Sequence, residues 1–296
     1  MSIASIFTLS TAQTAMELGC IYALVALALF LSYSILNIAD LSTDSCFTLG
    51  CAVCCQVTLL GHPILALFAA MLAGVLSGYI TAFLQTRLGV ESILAGIIVN
   101  TGLYTVNLAV MGFSSTLSIF KCDNIFSMAK STLGGVLGSW YKLVVALMIV
   151  LAVAALLALF LKTRLGLSIR ATDDSPDMIK ASSVNPAFTI TVGLCISGSL
   201  TALSGAVLAQ YQKSCDINLG TGMVTIALAS LIIGETLVGK GGMFRRALGA
   251  VIGSCLYRLF VAVALRLNVP AECMKLVSAL IVAVAIASPA LKRYAA

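Results

Sequence analysis

The chain contains a series of apolar runs, each about as long as a membrane is thick, separated by polar segments. Runs of about 20 apolar residues are typical of transmembrane helices. Their residues are apolar consecutively rather than alternately, which favours helices over a β-barrel. With 60% hydrophobic residues and a mean hydropathy of +1.11, the sequence predicts an all-α polytopic bundle forming one domain over residues 1–296. We predict nine spans, at 14–37, 45–61, 63–84, 91–112, 139–161, 188–210, 222–238, 247–266 and 273–291.

The largest polar segment lies between two of these runs. It reads KTRLGLSIRATDDSPDMIK from Lys162 to Lys180 and holds seven of the charged residues, although the whole chain has only 17 basic and 11 acidic ones. No other connection between the predicted spans carries as many charges. We therefore interpret the loop at 163–187 as a docking surface for a soluble partner rather than as a solvated connection.

This loop carries its own helix signals. Residues 174–177 read Asp-Ser-Pro-Asp, which combines a cap, a proline at the first helical position and an acid in the first turn. Asn185-Pro186 ends the segment, because a residue before proline avoids the helical region. About two turns of helix are predicted between these signals. The predicted contact residues are Arg170, Asp173, Asp174, Ser175, Pro176, Asp177, Met178, Ile179 and Lys180.

The distribution of basic residues predicts the orientation. Ten lysines and arginines fall on the side of the 163–187 loop and six on the other, and such a bias marks the cytosolic side. Nine spans then place the C-terminus in the cytosol and the N-terminus outside. One arginine, Arg258, falls within a predicted span. The net charge of +6 is explained by this bias and does not indicate nucleic-acid binding.

A second polar island, Asp40-Leu-Ser-Thr43-Asp44, separates the first two spans. Carboxylates at membrane depth are costly unless they are solvated, paired or capping helix ends. One interpretation is that Asp40 ends a helix at a membrane face and that Thr43 or Asp44 caps the next helix. The other is that the island is a break in the bundle that lines a pathway or stabilises a half-helix.

Further polar residues lie within the predicted spans. Asn100, Thr101 and Asn107 have spacings that allow them to share one face of a helix, and such a face points to the bundle or to a cavity. Glu235 lies near the end of a later span. Together with Asp40, Thr43 and Asp44, these residues form the predicted translocation path or polar bundle face.

No pattern of catalytic or metal-binding residues is present. The chain has one histidine, and Cys51-Ala-Val-Cys54 has neither a second cysteine pair nor a histidine nearby, so no metal site is predicted. The segment 234–241, GETLVGKG, resembles a phosphate-binding loop, but Gly241 replaces the Ser or Thr that holds magnesium. We therefore predict no cofactor bound by this chain and no enzymatic activity of its own. If transport is driven by ATP, a partner subunit binds the ATP and its magnesium.

Several segments resemble one family of transporters. Residues 17–50, ending in ADLSTDSCFTLG, resemble the opening of bacterial ABC-importer permeases of the branched-chain amino acid permease superfamily, in the branch labelled tryptophan/tyrosine-type. That branch has the pattern D-L-[ST]-x-D-G-S-F-P-L-G, from which Ser45, Cys46 and Thr48 depart. The likeness continues over nearly the whole chain, at 91–112, 166–185, 203–212, 228–237 and 245–267.

The resemblance implies a permease subunit of an ATP-driven importer in the bacterial cytoplasmic (inner) membrane. In this family two permease copies pair, ATPase subunits dock on cytosolic loops and an extracytoplasmic binding protein delivers the solute. The coupling helix of the family falls on 173–184 here. The resemblance implies a small solute, an aromatic or another amino acid. Aromatic amino acids are the solutes most often assigned to this branch. The alternative function is an ion-coupled secondary transporter or channel, with Asp40, Asp44 or Glu235 as a relay.

Overall fold

The computed structural model describes residues 9–174, 185–239 and 242–266, together with four single positions between 276 and 283. Ten α-helices and one two-stranded antiparallel sheet lie in these residues. The helices are α1 Leu9–Leu29, α2 Thr43–Leu59, α3 Pro63–Thr86, α4 Ser92–Val110, α5 Ile125–Leu137, α6 Tyr141–Lys162, α7 Arg164–Asp174, α8 Pro186–Gln212, α9 Met223–Val238 and α10 Met243–Arg266. A π-helical segment, Phe30–Ile35, extends α1, and a 3₁₀ turn, Gly138–Trp140, precedes α6. The strands are β1 Thr116–Ser118 and β2 Ser214–Asp216.

Six of the described helices are long and apolar enough to cross a membrane. They are α1 with its π-helical extension, α3, α4, α6, α8 and α10. The expected all-α multi-pass architecture is therefore present, but the predicted count of nine spans is not confirmed. Two of the nine correspond to α2 and α9, which have 17 and 16 residues, and the span at 273–291 lies mostly outside the described residues. An apolar run reports hydrophobicity, and a short helix buried in a bundle has the same signature.

Helices α1 and α8 form the centre of the bundle. In each, 83% of the most apolar stretch is buried, compared with 28–33% in α3, α4, α6 and α10. The outer helices present large side chains such as Phe68, Leu72 and Leu156 on their exposed faces. A surface of this kind suits contact with lipid, because acyl chains are as apolar as the side chains that they contact.

Small residues allow the central helices to approach closely. A Cβ atom added at Gly198 of α8 would lie 2.4 Å from the backbone oxygen of Gly74 in α3, and one at Gly74 would lie 2.3 Å from the oxygen of Gly198. Two turns further along α8, Cys51 of α2 donates from Sγ to the Gly205 oxygen over 2.9 Å. Close backbone approach through small residues is the usual way in which helices associate in lipid, and it places α2 directly beside the buried centre.

Candidate functional site

The loop between α1 and α2 is organised by Asp40. This residue is 4% exposed, and its Oδ1 accepts hydrogen bonds from the backbone N–H of Ser42 (2.9 Å) and from the Ser42 hydroxyl (2.6 Å). The Thr43 hydroxyl donates to the backbone oxygen of Asp40 over 3.0 Å. The carboxylate and Thr43 thus bind the loop itself. Asp40 satisfies a donor just before α2. It does not end the preceding helix as the first interpretation predicts, because that helical segment already ends at Ile35.

Asp44 makes contacts of a different kind. It lies in the first turn of α2, but its carboxylate binds the beginning of α9, about 180 residues further along the chain. Oδ2 accepts from the Gly222 N–H and Oδ1 from the Val224 N–H, each over 2.9 Å. The first N–H groups of a helix have no partner within the helix, and the N-terminus carries partial positive charge. Asp44 therefore caps α9 rather than the helix that contains it.

Helix α9 begins inside the bundle. Cys46, half a turn after Asp44, donates from Sγ to the oxygen of Gly198, which lies near the middle of α8. The segment after α8 returns along α2 to that level, and the Gly220 N–H donates to the Thr48 hydroxyl over 3.1 Å. A Cβ at Gly220 would lie only 2.0 Å from the Asp44 oxygen, so the close approach requires glycine. This arrangement is a helix with its N-terminus at mid-depth, a form that transporters use at binding sites.

Asn100 and Asn107 of α4 converge on one residue of α2. Asn100 Oδ1 accepts from the Ser45 N–H over 3.0 Å, and its backbone oxygen accepts from the Ser45 hydroxyl over 2.8 Å. Asn107, which is 1% exposed, donates from Nδ2 to the Ser45 oxygen over 3.0 Å. Thr101 does not join this face. Its side chain is exposed and its hydroxyl donates to Ile97 of the same helix, because the next residue along a helix points about 100° away.

These contacts leave a polar strip at the surface of the bundle. Asp44, Ser45 and Asn100 are half-buried, and Thr221, beside the cap, is exposed. The neighbouring turns of α4 present Ile97, Ile98 and other apolar side chains. We call Asp44, Ser45, Asn100 and Thr221 the polar strip. Carboxylate and amide groups at this depth are unfavourable against lipid, which makes the strip a candidate for facing water or another protein surface.

Glu235 belongs to a second cluster, at the far end of α9. Its Oε1 lies 2.7 Å from Arg246 Nη2 of α10 and 3.2 Å from the hydroxyl of Ser34 in the π-helical segment. Arg246 also binds Ser34 and lies over the Phe30 ring, 5.4 Å from its centroid. The ion pair is about one-fifth exposed on each side. Glu235 is thus a bridge among α1, α9 and α10, and it lies apart from the polar strip.

The coupling segment is described only in part. Helix α7 follows α6 directly, and Thr163 Oγ1 accepts from the Gly166 N–H at its start. Arg170 is exposed on it. This helix ends with Asp173 and Asp174. The further helix that Asp174 is predicted to cap would follow it, outside the described residues, so that cap stays a prediction. The remaining predicted contacts, Ser175, Pro176, Asp177, Met178, Ile179 and Lys180, lie outside the described residues.

The cysteines of the described residues are free thiols. Cys51 and Cys54, which have the CxxC spacing, are buried and donate to the backbone oxygens of Gly205 and Ala206. Among the described residues no group of three or more His, Cys, Asp or Glu side chains could hold a metal ion. These cysteines therefore serve as small donors in the contact between α2 and α8.

Sequence reasoning missed Ser45, Gly220, Gly222 and Arg246. The two glycines act through their backbone N–H groups, and Ser45 uses its backbone N–H and C=O as well as its hydroxyl. Backbone contacts leave no signature in residue type. Arg246 is one of the ten basic residues on the predicted cytosolic side, and it is also the partner of Glu235. The spacing of eleven residues across a turn does not by itself indicate an ion pair.

Comparison with known proteins identifies relatives of this chain. Residues 12–286 match the family described as the permease component of branched-chain amino acid transport systems. The chain is 31% identical over 268 residues to a tyrosine transport system permease protein of Clostridioides difficile, covering 90% of this chain and 87% of the relative. It is 29% identical over 220 residues to the D-allose transport system permease protein AlsC of Escherichia coli, covering 72% and 64%. Among solved structures, PsaBC from Streptococcus pneumoniae in complex with Fab is similar, with a TM-score of 0.52 and 16% identity over 93% of this chain and 89% of that one. This last likeness concerns the fold alone.

Proposed function

The chain belongs to this permease family and is the permease component of an ABC transport system; from that premise we propose that it imports an aromatic amino acid. The observation that carries the proposal is the match along nearly the whole length of the tyrosine transport permease. As a transport permease of the family, the chain is a multi-pass membrane protein, and we place it in the bacterial inner membrane. Hydrolysis of ATP and binding of its magnesium belong to a separate ATPase subunit.

The choice of solute needs its own experiment, because a relative of similar identity is named for allose. Uptake of labelled tyrosine is measured in a strain that lacks the chain and in the complemented strain. We expect complementation to restore uptake, and unlabelled tryptophan and phenylalanine to compete better than leucine or allose. Competition by allose with none by aromatic amino acids would contradict the proposed solute, while leaving the chain a permease.

The ATPase is proposed to dock on the segment 163–187. Exposed Arg170 on α7, the charge density of the segment and the family likeness support this position. A photo-crosslinking amino acid at Lys180 should capture the ATPase in whole cells. The same group at Asp123, which is exposed and lies on the opposite predicted side, is the control. Cross-linking through introduced cysteines would require the removal of Cys51 and Cys54, whose thiols donate hydrogen bonds to the backbone of α8. Photo-crosslinking leaves both thiols in place. Capture from Asp123 and not from Lys180 would reverse the proposed orientation.

We also propose that two copies of the chain form the transport unit, with the polar strips of the two copies on the solute pathway. The support is chemical, because half-buried Asp44 and Asn100 at this depth suit a water-filled path, and two-fold pairing is the commonest assembly of identical chains. An external binding protein would deliver the solute to this path. Native mass spectrometry should give two permease copies per complex. A complex with one copy and a different second permease would exclude the homodimer.

A further inference from the structure

Arg258 is a charge within an apolar span that the contacts described above do not use. It lies on α10, its Cζ is 3.6 Å from the centroid of the Tyr22 ring, and Tyr22 in turn stacks on Phe47 of α2 with 6.1 Å between centroids. Arg258 Nε is buried and has no hydrogen-bond partner among the described residues. An arginine that stacks on an aromatic ring keeps its N–H groups directed outward in the plane of the guanidinium, where they can bind a carboxylate.

The helices that border Arg258 provide no anion for it. Helix α10 contains no acidic residue, and the only one in α1 is Glu17. Glu17 accepts hydrogen bonds from Gln13 (2.9 Å) and from the Tyr211 hydroxyl (2.8 Å), on the side of α8. No carboxylate of the described residues pairs with Arg258. An ionisable residue inside a membrane protein is normally paired or serves a ligand. Within the described residues Arg258 stacks on Tyr22 but meets no anion, so its guanidinium keeps hydrogen-bonding capacity for a ligand.

A cavity of about 430 Å³ is lined in part by Arg258, between the beginning of α1 and the end of α10. Arg258 and Arg266 line it together with the hydroxyl-bearing Thr11 and Thr14 and with apolar side chains such as Leu18 and Val261. Arg266 Nη2 donates to the Thr11 hydroxyl over 2.6 Å and joins the two helices at the rim. The lining thus combines a half-buried cation with apolar walls, which is the composition of a site for a small amphipathic anion.

We propose that this cavity binds the transported amino acid, with Arg258 holding its carboxylate and the apolar wall holding its side chain. The inference rests on the proposed function and assigns a solute-binding residue to it. The predicted orientation puts this end of α1 outside, where an importer receives its solute. Tyr22 is a positioning residue, because its ring holds the guanidinium in place.

The test uses the purified wild-type permease in phosphatidylcholine nanodiscs, titrated by saturation-transfer difference NMR with tyrosine and with tyramine, which lacks the carboxylate. We expect Arg258→Gln to weaken tyrosine binding about tenfold or more, because a charged hydrogen-bond pair is lost, and to leave tyramine binding unchanged. Arg258→Lys keeps the charge without the planar fork and should weaken tyrosine binding less. Lys142→Gln is the matched control: Lys142 also lies over a tyrosine ring, that of Tyr211 at 5.1 Å, but outside the cavity.

Equal tyrosine affinity in the wild type, Arg258→Gln and Arg258→Lys would overturn the proposal, as would equal loss of tyrosine and tyramine binding. A second arm adds phosphatidylglycerol to the nanodiscs. If it displaces tyrosine from the wild type, an anionic lipid occupies the site and the proposal is wrong. If the wild type binds and transports no aromatic amino acid, the proposed function fails at that point. Wild-type tyrosine transport with unchanged affinity in the variants would reject only the site.

Discussion

Replacement of a carboxylate by an amide should have opposite consequences at Asp44 and at Asp40. Asp44 uses both oxygens, one for the Gly222 N–H and one for the Val224 N–H. In Asp44→Asn one oxygen becomes an NH₂ group that faces an N–H donor, so one bond is lost and two donors oppose each other. Asp40 accepts both of its bonds on Oδ1 alone. In Asp40→Asn that oxygen remains an acceptor, and the loop keeps its contacts.

The magnitude follows from these contacts. A hydrogen bond to a charged group contributes about 1.5–3 kcal/mol, and the attraction between a charge and a helix N-terminus adds about 0.3–1 kcal/mol. We expect Asp44→Asn to destabilise the protein by about 2–4 kcal/mol and Asp40→Asn by less than about 1 kcal/mol. For a chain of this size, the first change lowers the apparent Tm by about 4 °C or more.

The assay is thermal unfolding of both variants in one detergent at one heating rate, with membrane abundance and tyrosine uptake measured in parallel. Equal Tm values for Asp44→Asn, Asp40→Asn and the wild type would refute the capping argument. Loss of uptake in Asp44→Asn with a normal Tm would mean that the charge acts on the pathway and not on α9. A loss of both is the expected result.

Three further predictions concern other contacts. Glu235→Gln and Arg246→Gln should each destabilise the protein, and the double variant should lose at least about 1 kcal/mol less than the sum of the two in chemical denaturation; additive losses would show that the ion pair contributes no coupling. Thr101→Val should leave abundance and uptake unchanged, because the side chain is exposed and its hydroxyl bonds its own helix. Asn107→Leu should lower the Tm, because it breaks the hydrogen bond to Ser45. A larger effect at Thr101 than at Asn107 would show that Thr101, and not Asn107, makes the important contact. Gly198→Ala should reduce membrane abundance, because its Cβ would lie 2.4 Å from the Gly74 oxygen, and normal abundance would show that α3 and α8 can separate at little cost.

The sequence was sufficient for the class of fold. Apolar runs of membrane length predict an all-α multi-pass protein, because only helices and closed β-barrels satisfy the backbone in lipid and these runs lack the alternating polarity of barrel strands. The sequence was not sufficient for predicting the number of membrane spans. Hydropathy treats α9 as one more crossing, whereas its N-terminus lies beside Asp44 at the middle of the bundle. The return of the chain after α8 is held by backbone groups of Gly220 and Gly222, and residue type does not report such contacts.

The candidate site was predictable to a similar extent. The seven-residue spacing places Asn100 and Asn107 on one helical face, and both reach Ser45. Thr101 adjoins Asn100 in sequence and therefore points elsewhere. The contacts of the Asp40–Asp44 island differ from the capping that the first interpretation predicts, since Asp40 binds Ser42 in its own loop and Asp44 binds the beginning of α9, a helix that starts inside the bundle. Only the tertiary arrangement separates the two roles.

The most direct test of the central claim is solute uptake by the reconstituted permease with its ATPase and binding protein, in proteoliposomes whose interior holds the nucleotide. We predict accumulation of tyrosine with ATP and magnesium inside, none with a non-hydrolysable ATP analogue, and no effect of ionophores that collapse proton and sodium gradients. Accumulation driven by a proton or sodium gradient without ATP would contradict the claim and would make the chain an ion-coupled transporter.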